Sequence, residues 1–86
     1  MRELVFTREF ERLFRRLPKR IRLETYEKLV LLQSDPSHPS LRVKRIKGTR
    51  ALWEMSVTMN YRITFQVEGE TVILRRNGTH DILRSP

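Results

Sequence analysis

The chain has 86 residues, 18 of them Lys or Arg and 10 Asp or Glu, a formal net charge of +8. That length holds one domain, residues 1–86, with no room for a second or for a large cofactor cavity. Cysteine is absent, which excludes disulfide scaffolds, thiolate zinc sites and cysteine nucleophiles, and the longest apolar run, residues 29–32, is too short for a transmembrane helix or a signal-peptide core; a cytoplasmic protein without a membrane partner is expected.

Residues 3–6 (ELVF) read as a strand, and Thr7 suits the cap of a following helix. Phe10, Leu13, Phe14 and Leu17 recur at i, i+3, i+4 and i+7, the stripe of an amphipathic helix. Pro18 ends it and fits the first turn of a second helix over about residues 19–33. Ile21, Thr25, Leu29 and Leu32 form the stripe of that helix, and Leu23, Tyr26 and Val30 widen it toward an apolar patch that awaits a partner. The short link predicts an antiparallel helical hairpin. Residues 34–40 (SDPSHPS) are a loop by composition, and 41–46 (LRVKRI) a short edge strand whose charges discourage edge pairing.

From residue 51 the apolar period becomes two. Trp53, Met55 and Val57 alternate with polar residues, as do Tyr61, Ile63, Phe65 and Val67, and Val72 and Leu74 continue the set. A three-residue loop at 58–60 pairs 53 with 65 and 55 with 63, which puts every apolar member on one face. A two-residue turn at Glu68-Gly69 pairs 62 with 75, which makes Arg62 and Arg75 cross-strand neighbours on the polar face. Like charges directly opposite cost a sheet about 0.2–1 kcal/mol, so the pair is easiest to understand with an anion between the two; two splayed, solvated arginines are the alternative.

Charge is unevenly placed. Residues 51–86 are neutral overall, while Arg42, Lys44, Arg45, Lys47 and Arg50 crowd into nine positions and Arg15, Arg16, Lys19, Arg20 and Arg22 form a second cluster. Such density fits a phosphate backbone, an anionic membrane or an acidic protein, and equally a solvated helix face with a basic loop. Lys44, Arg45, Lys47, Arg50 and Arg75 are the candidate substrate-binding residues. Of the two histidines, His38 lies between prolines in the polar loop and reads as a solvated loop residue, whereas His80 follows the last strand in NGTHD. A bend at Gly78 would swing His80 over Arg62 and Arg75. Arginines to clamp a phosphate and a histidine to protonate a leaving oxygen are the parts of a phosphodiester-cleaving site. RNA supplies its own nucleophile in the 2′-hydroxyl. No carboxylate cluster has metal-ligand spacing, no glycine-rich phosphate loop is present, and no cofactor is implied.

Four segments in this order, FTREFERLFRRLPKRI, DPSHPSLRVKRIKGT, LWEMSVTMNYRITF and GTHDIL, resemble the RelE/ParE superfamily of type II toxin–antitoxin toxins over nearly the whole chain. The resemblance implies a basic toxin held inactive by an acidic antitoxin. RelE-type members cleave mRNA, usually in the ribosomal A site, by metal-free 2′-hydroxyl attack. On that likeness Arg62 matches the phosphate-contacting arginine of the YR strand, and His80 matches the general acid or base. Glu54 and Ser56 stand where RelE-type members often carry lysines, which makes Glu54 a candidate base or an orienting group. The C-terminal tyrosine of many members is absent. ParE-type relatives share the fold, lack the nuclease residues and inhibit DNA gyrase. The expectation is an α+β fold, β-α-α-β-β-β(-β), with a helical hairpin on one face of an antiparallel sheet, and a ribosome-associated endoribonuclease with His80, Arg62 and Glu54 as catalytic residues. A gyrase inhibitor or a catalytically inactive basic binding domain are the alternatives.

Overall fold

A computed structural model describes residues 2–86. In chain order they form β1 (Glu3–Phe6), α1 (Arg8–Arg16), α2 (Lys19–Ser34), a 3-10 turn (Pro39–Leu41), β2 (Lys44–Arg45), β3 (Leu52–Ser56), β4 (Tyr61–Glu68), β5 (Thr71–Thr79) and a 3-10 segment (His80–Arg84). The five strands make one sheet in the order β1-β5-β4-β3-β2. Strands β2 to β5 are antiparallel as expected, but β1 adds to β5 in parallel, so the sheet is mixed. Residues 3–6 form the expected strand, and alternation within a strand, which reports only the buried face, left its direction open. Among the described residues no helix is long and apolar enough to cross a membrane.

Thr7 joins the first two elements. Its Oγ1 accepts from the Phe10 backbone N–H at 3.1 Å, capping α1, while its hydroxyl lies 2.8 Å from the Leu74 carbonyl of β5. Glu9 and Arg76 carry the tie further along the same edge, 3.2 Å apart. Arg12, hydrogen-bonded to Glu9, holds that carboxyl below its ordinary value, with Arg76 and Arg16 acting in the same direction. On α2 the predicted stripe is the buried one, Ile21, Thr25, Leu29 and Leu32. The hydroxyl of Thr25 donates to the Ile21 carbonyl at 2.7 Å, which removes the cost of burying it.

The core lies between the helices and one face of the sheet. Phe10, Leu29, Ile63 and Phe65 are in it as expected, joined by Leu32, Leu41, Met55, Val57, Val72 and Leu74, with Phe14, Trp53 and Tyr61 packed against its margin. Leu13 is half-buried outside this cluster. Leu41 is fully buried because the 3-10 turn before β2 rotates it inward; the whole of 41–46 was expected as strand, and only Lys44–Arg45 pairs. Phe10, 2% exposed, stacks between Phe6 and Phe14 with ring centroids 5.6 and 6.4 Å away. Phe10→Ala should therefore cost about 3–5 kcal/mol, a large share of the ~4–13 kcal/mol that a chain this size commands. Tyr26→Ala, at a 65% exposed position, should stay within about 0.5 kcal/mol. Urea unfolding of the two variants measures the contrast.

The β3–β4 register is the expected one, Trp53 opposite Phe65 and Met55 opposite Ile63. The β4–β5 register is not. Its turn lies one residue later, with Glu68 opposite Thr71 and Gly69 at φ +61°, a conformation that glycine adopts without strain. A β-bulge follows. Phe65 faces Leu74 while Thr64 faces Arg76, which leaves Arg75 as the extra residue. Arg62 consequently faces Gly78, and the expected Arg62–Arg75 cross-strand pair does not form. The bulge shows in the burial of β5, where Val72, Leu74 and Asn77 are the inward residues. Asn77 is tolerated there because its Nδ2 donates to the Phe10 carbonyl at 2.9 Å.

Candidate functional site

The sheet face away from the helices collects polar residues in rows. Lys44, Glu54 and Thr64 are opposite one another across β2, β3 and β4, and Ser56, Arg62 and Gly78 across β3, β4 and β5. Arg62 is the best-held side chain of the face. The three-residue loop between β3 and β4 turns its carbonyls toward it. Arg62 Nη1 donates to the carbonyls of Thr58 at 2.6 Å, Met59 at 2.7 Å and Tyr61 at 3.2 Å. The loop itself is set by Thr58, whose Oγ1 accepts from the backbone N–H of Asn60 and of Tyr61, both at 3.2 Å. Glu54 Oε1 lies 3.8 Å from Arg62 Nε, and the two side chains are only 10% and 13% exposed. Nη2 makes no hydrogen bond among the described residues. One nitrogen is thus pinned, a second faces a carboxylate, and a third has no partner among the described residues.

Arg62 opens on a hollow of about 290 Å³ lined also by Ser40, Arg42, Ser56, Val57, Thr58 and Met59. Ser40 is placed by the 3-10 turn ahead of β2. His38 caps that turn: its Nδ1 accepts from the Ser40 backbone N–H at 3.2 Å and lies 2.9 Å from Ser40 Oγ, while Lys28 Nζ of α2 donates to the same hydroxyl at 3.4 Å. His38 is therefore a structural cap, where its sequence context suggested a solvated loop residue.

His80 is exposed, in a second hollow with Asn60, Tyr61, Thr79 and Asp81. It stands two residues past Gly78, the partner of Arg62, so both groups belong to the same end of the sheet. No hydrogen bond joins them among the described residues, and the two hollows flank the β3–β4 loop. The segment after β5 does fold back, but Ile82 crosses the face rather than His80: a Cβ at Gly78 would come within 3.1 Å of Ile82 Cγ2. Beyond it the Pro86 carbonyl accepts from Thr64 Oγ1 at 3.0 Å and Arg75 Nε at 3.3 Å, and the Ser85 carbonyl from Arg76 Nη1 at 3.0 Å. Arg75 also donates to Gln66 Oε1 at 3.1 Å. It fastens the C-terminal segment, away from Arg62.

The basic block divides. Lys44 shares the Glu54 row and so the face of Arg62. Arg45 is opposite Trp53, with its guanidinium carbon 5.7 Å from that ring, on the side of the helices, and bonds back to the Arg50 carbonyl. Lys47 and Arg50 are exposed in the link between β2 and β3.

Neither a protein-family model nor a curated protein sequence matches this chain. Solved structures do match. One chain of the RelB–RelE antitoxin–toxin complex of Methanococcus jannaschii is 26% identical and superposes with a TM-score of 0.77 over 93% of this chain and 94% of its own. The fold is that of the RelE-like toxin superfamily. The DinJ–YafQ toxin–antitoxin complex of E. coli contains the same RelE-like fold at 15% identity, TM-score 0.79, over 95% of this chain and 96% of that one. The intact E. coli RelBE toxin–antitoxin complex contains it at 21% identity, TM-score 0.72, over 92% and 96%. Of the residues singled out in the sequence, the structure brings Arg62 and Glu54 together, and it sets Ser40 and Arg42 beside Arg62. Ser40 comes from the segment read only as a loop, and Arg42 from the basic block of the expected edge strand. No periodicity reports that a turn there brings them to Arg62.

Proposed function

We propose that this chain is the toxin of a type II toxin–antitoxin pair and that it cleaves mRNA on the ribosome as a metal-independent endoribonuclease. The observation that carries the reading is the pinned Arg62 guanidinium, with Nη2 left unpartnered within the described residues beside a polar hollow. The RNA 2′-hydroxyl attacks the adjacent phosphorus, and Arg62 stabilises the charge that gathers on the non-bridging oxygens. His80 donates a proton to the departing 5′-oxygen as the P–O bond breaks, leaving a 2′,3′-cyclic phosphate and a 5′-hydroxyl end. Glu54, 3.8 Å from Arg62 Nε, orients that guanidinium and takes the proton that the 2′-hydroxyl loses as its oxygen bonds to phosphorus. Lys44, on the same face, adds a charge for the RNA backbone.

The inhibitory partner in this reading is an acidic antitoxin. Phe6, Phe10, Phe14, Tyr26 and Leu29 line an apolar groove of about 280 Å³ with Glu11 and Arg15 at its sides, and Leu23 and Val30 extend the exposed apolar surface along α2. A ParE-type action on DNA gyrase is the second reading, favoured by the separate hollow that holds His80. Primer extension on a message translated in vitro with the purified protein separates the two. Discrete stops within codons support the nuclease. An intact message together with blocked gyrase supercoiling supports the alternative.

A further inference from the structure

We propose that Arg42 is the second phosphate-holding guanidinium of the Arg62 hollow, and that the left-handed turn at Arg42 serves to put it there. The inference rests on the reading of Arg62 as a phosphate contact and assigns that site a partner from a different part of the chain. Arg42 has φ 50° and ψ 47°, the only positive φ at a non-glycine residue among the described residues. A side chain in that region is strained; glycine or asparagine would be at ease. The surroundings impose the conformation. Leu41 is fully buried on the core side, the Arg42 N–H closes the 3-10 turn onto the Pro39 carbonyl at 3.1 Å, and His38 and Lys28 hold Ser40 from the other flank. The consequence is a charged side chain on the rim that Arg62 occupies, with the hydroxyls of Ser40, Ser56 and Thr58 around the same hollow.

The charge balance favours an anion. Arg62 has Glu54 at its Nε. Arg42 has no carboxylate within ion-pair distance among the described residues, so the hollow keeps one uncompensated positive charge. Two arginines on one hollow, with Ser56 also lining it, suit the tetrahedral oxygens of a backbone phosphodiester of single-stranded RNA. The sequence offered Arg75 for this role, but the register carries Arg75 to the C-terminal segment instead.

The test titrates inorganic phosphate into wild type, Arg42→Gly, Arg42→Asn and Arg62→Lys, following the backbone amide resonances of Ser56 and Thr58. Wild type should show saturable shifts, and Arg42→Gly and Arg42→Asn should bind phosphate about tenfold more weakly, the loss of one charge-assisted hydrogen bond. Both should melt at or above the wild-type temperature, because each residue accepts the left-handed backbone. Equal phosphate affinity in wild type and Arg42→Gly overturns the assignment, as does a lowered melting temperature in both variants. Message cleavage by wild type is scored separately. Cleavage with Arg42-independent phosphate binding refutes the Arg42 assignment alone. Arg42-dependent phosphate binding without cleavage leaves the anion site standing and refutes the nuclease reading.

Discussion

Arg62→Lys should lower the rate of message cleavage by ~10²–10³ while the protein stays folded. The magnitude is that of losing one preorganised donor to charge that develops in the transition state. A lysine keeps the charge but has a single nitrogen, which cannot hold the Thr58 and Met59 carbonyls and also face a phosphate. The rate loss should fall in kcat more than in KM, since the ground-state diester already carries its charge and gains most as the pentavalent arrangement forms. Arg62→Ala is the less informative variant. Arg62 and Glu54 are both nearly buried, at 13% and 10% side-chain exposure, so removing the guanidinium strands the carboxylate and should cost about 3–5 kcal/mol of stability. The expected cost arises although Arg62 stands on the polar sheet face, because the loop carbonyls of Thr58 and Met59 and the Glu54 carboxylate surround its guanidinium. The double variant Arg62→Ala with Glu54→Gln should recover much of that stability and none of the activity. Thermal melts beside single-turnover cleavage separate the two effects.

His80→Ala should cut cleavage by ~10²–10⁴, the range for losing a positioned proton donor, with no change in melting temperature. The second half follows from its setting: His80 is exposed and makes no side-chain hydrogen bond among the described residues. Message binding should hold within a factor of about two, because in this reading Arg62 and Lys44 hold the backbone phosphates and His80 serves only the leaving oxygen. His80→Gln, which keeps a donor but cannot transfer a proton at neutral pH, should be as slow as His80→Ala. The two hollows flank the β3–β4 loop, so a substrate that uses both must straddle the loop tip at Met59 and Asn60. A 5′-leaving group activated with a good phenolate should cleave nearly as fast with His80→Ala as with wild type, since it needs no proton. Equal losses on both substrates would make His80 a contact and not an acid.

Legibility in the sequence followed periodicity. Where an apolar residue returned every second position, as from Trp53 to Val57 and from Tyr61 to Phe65, the burial demand allowed one register, and the structure has it. The helices were equally readable, through Phe10, Phe14 and the Ile21-to-Leu32 stripe. Strand β5 broke the pattern. Its bulge at Arg75 advances the inward set from Leu74 to Asn77, and a buried asparagine looks like a surface residue until its bond to the Phe10 carbonyl is seen. That single inserted residue moved Arg75 away from Arg62. Residues 38–42 likewise carried no periodic sign of the turn that sets Ser40 and Arg42 beside Arg62. HPSLR carries the local cap from His38 to Ser40, but what buries Leu41 and sets Arg42 left-handed is tertiary: the core space that Leu41 fills and the Lys28 contact to Ser40. His80 stands at the end of the sheet that Arg62 occupies, but Ile82 takes the space over Gly78 that His80 was expected to use.

The central claim is that the Arg62 site cleaves RNA with the substrate's own 2′-hydroxyl. It is tested most directly by a ribosome programmed with a message carrying a single 2′-deoxynucleotide on the 5′ side of the cleaved bond. With the all-ribose message, wild type should give one product ending in a cyclic phosphate and another beginning with a 5′-hydroxyl, at the same rate with and without chelator. With the 2′-deoxy message, cleavage at that bond should vanish while neighbouring codons are still cut. Cleavage that persists at the deoxy position, or 5′-phosphate ends on the products, would contradict the account.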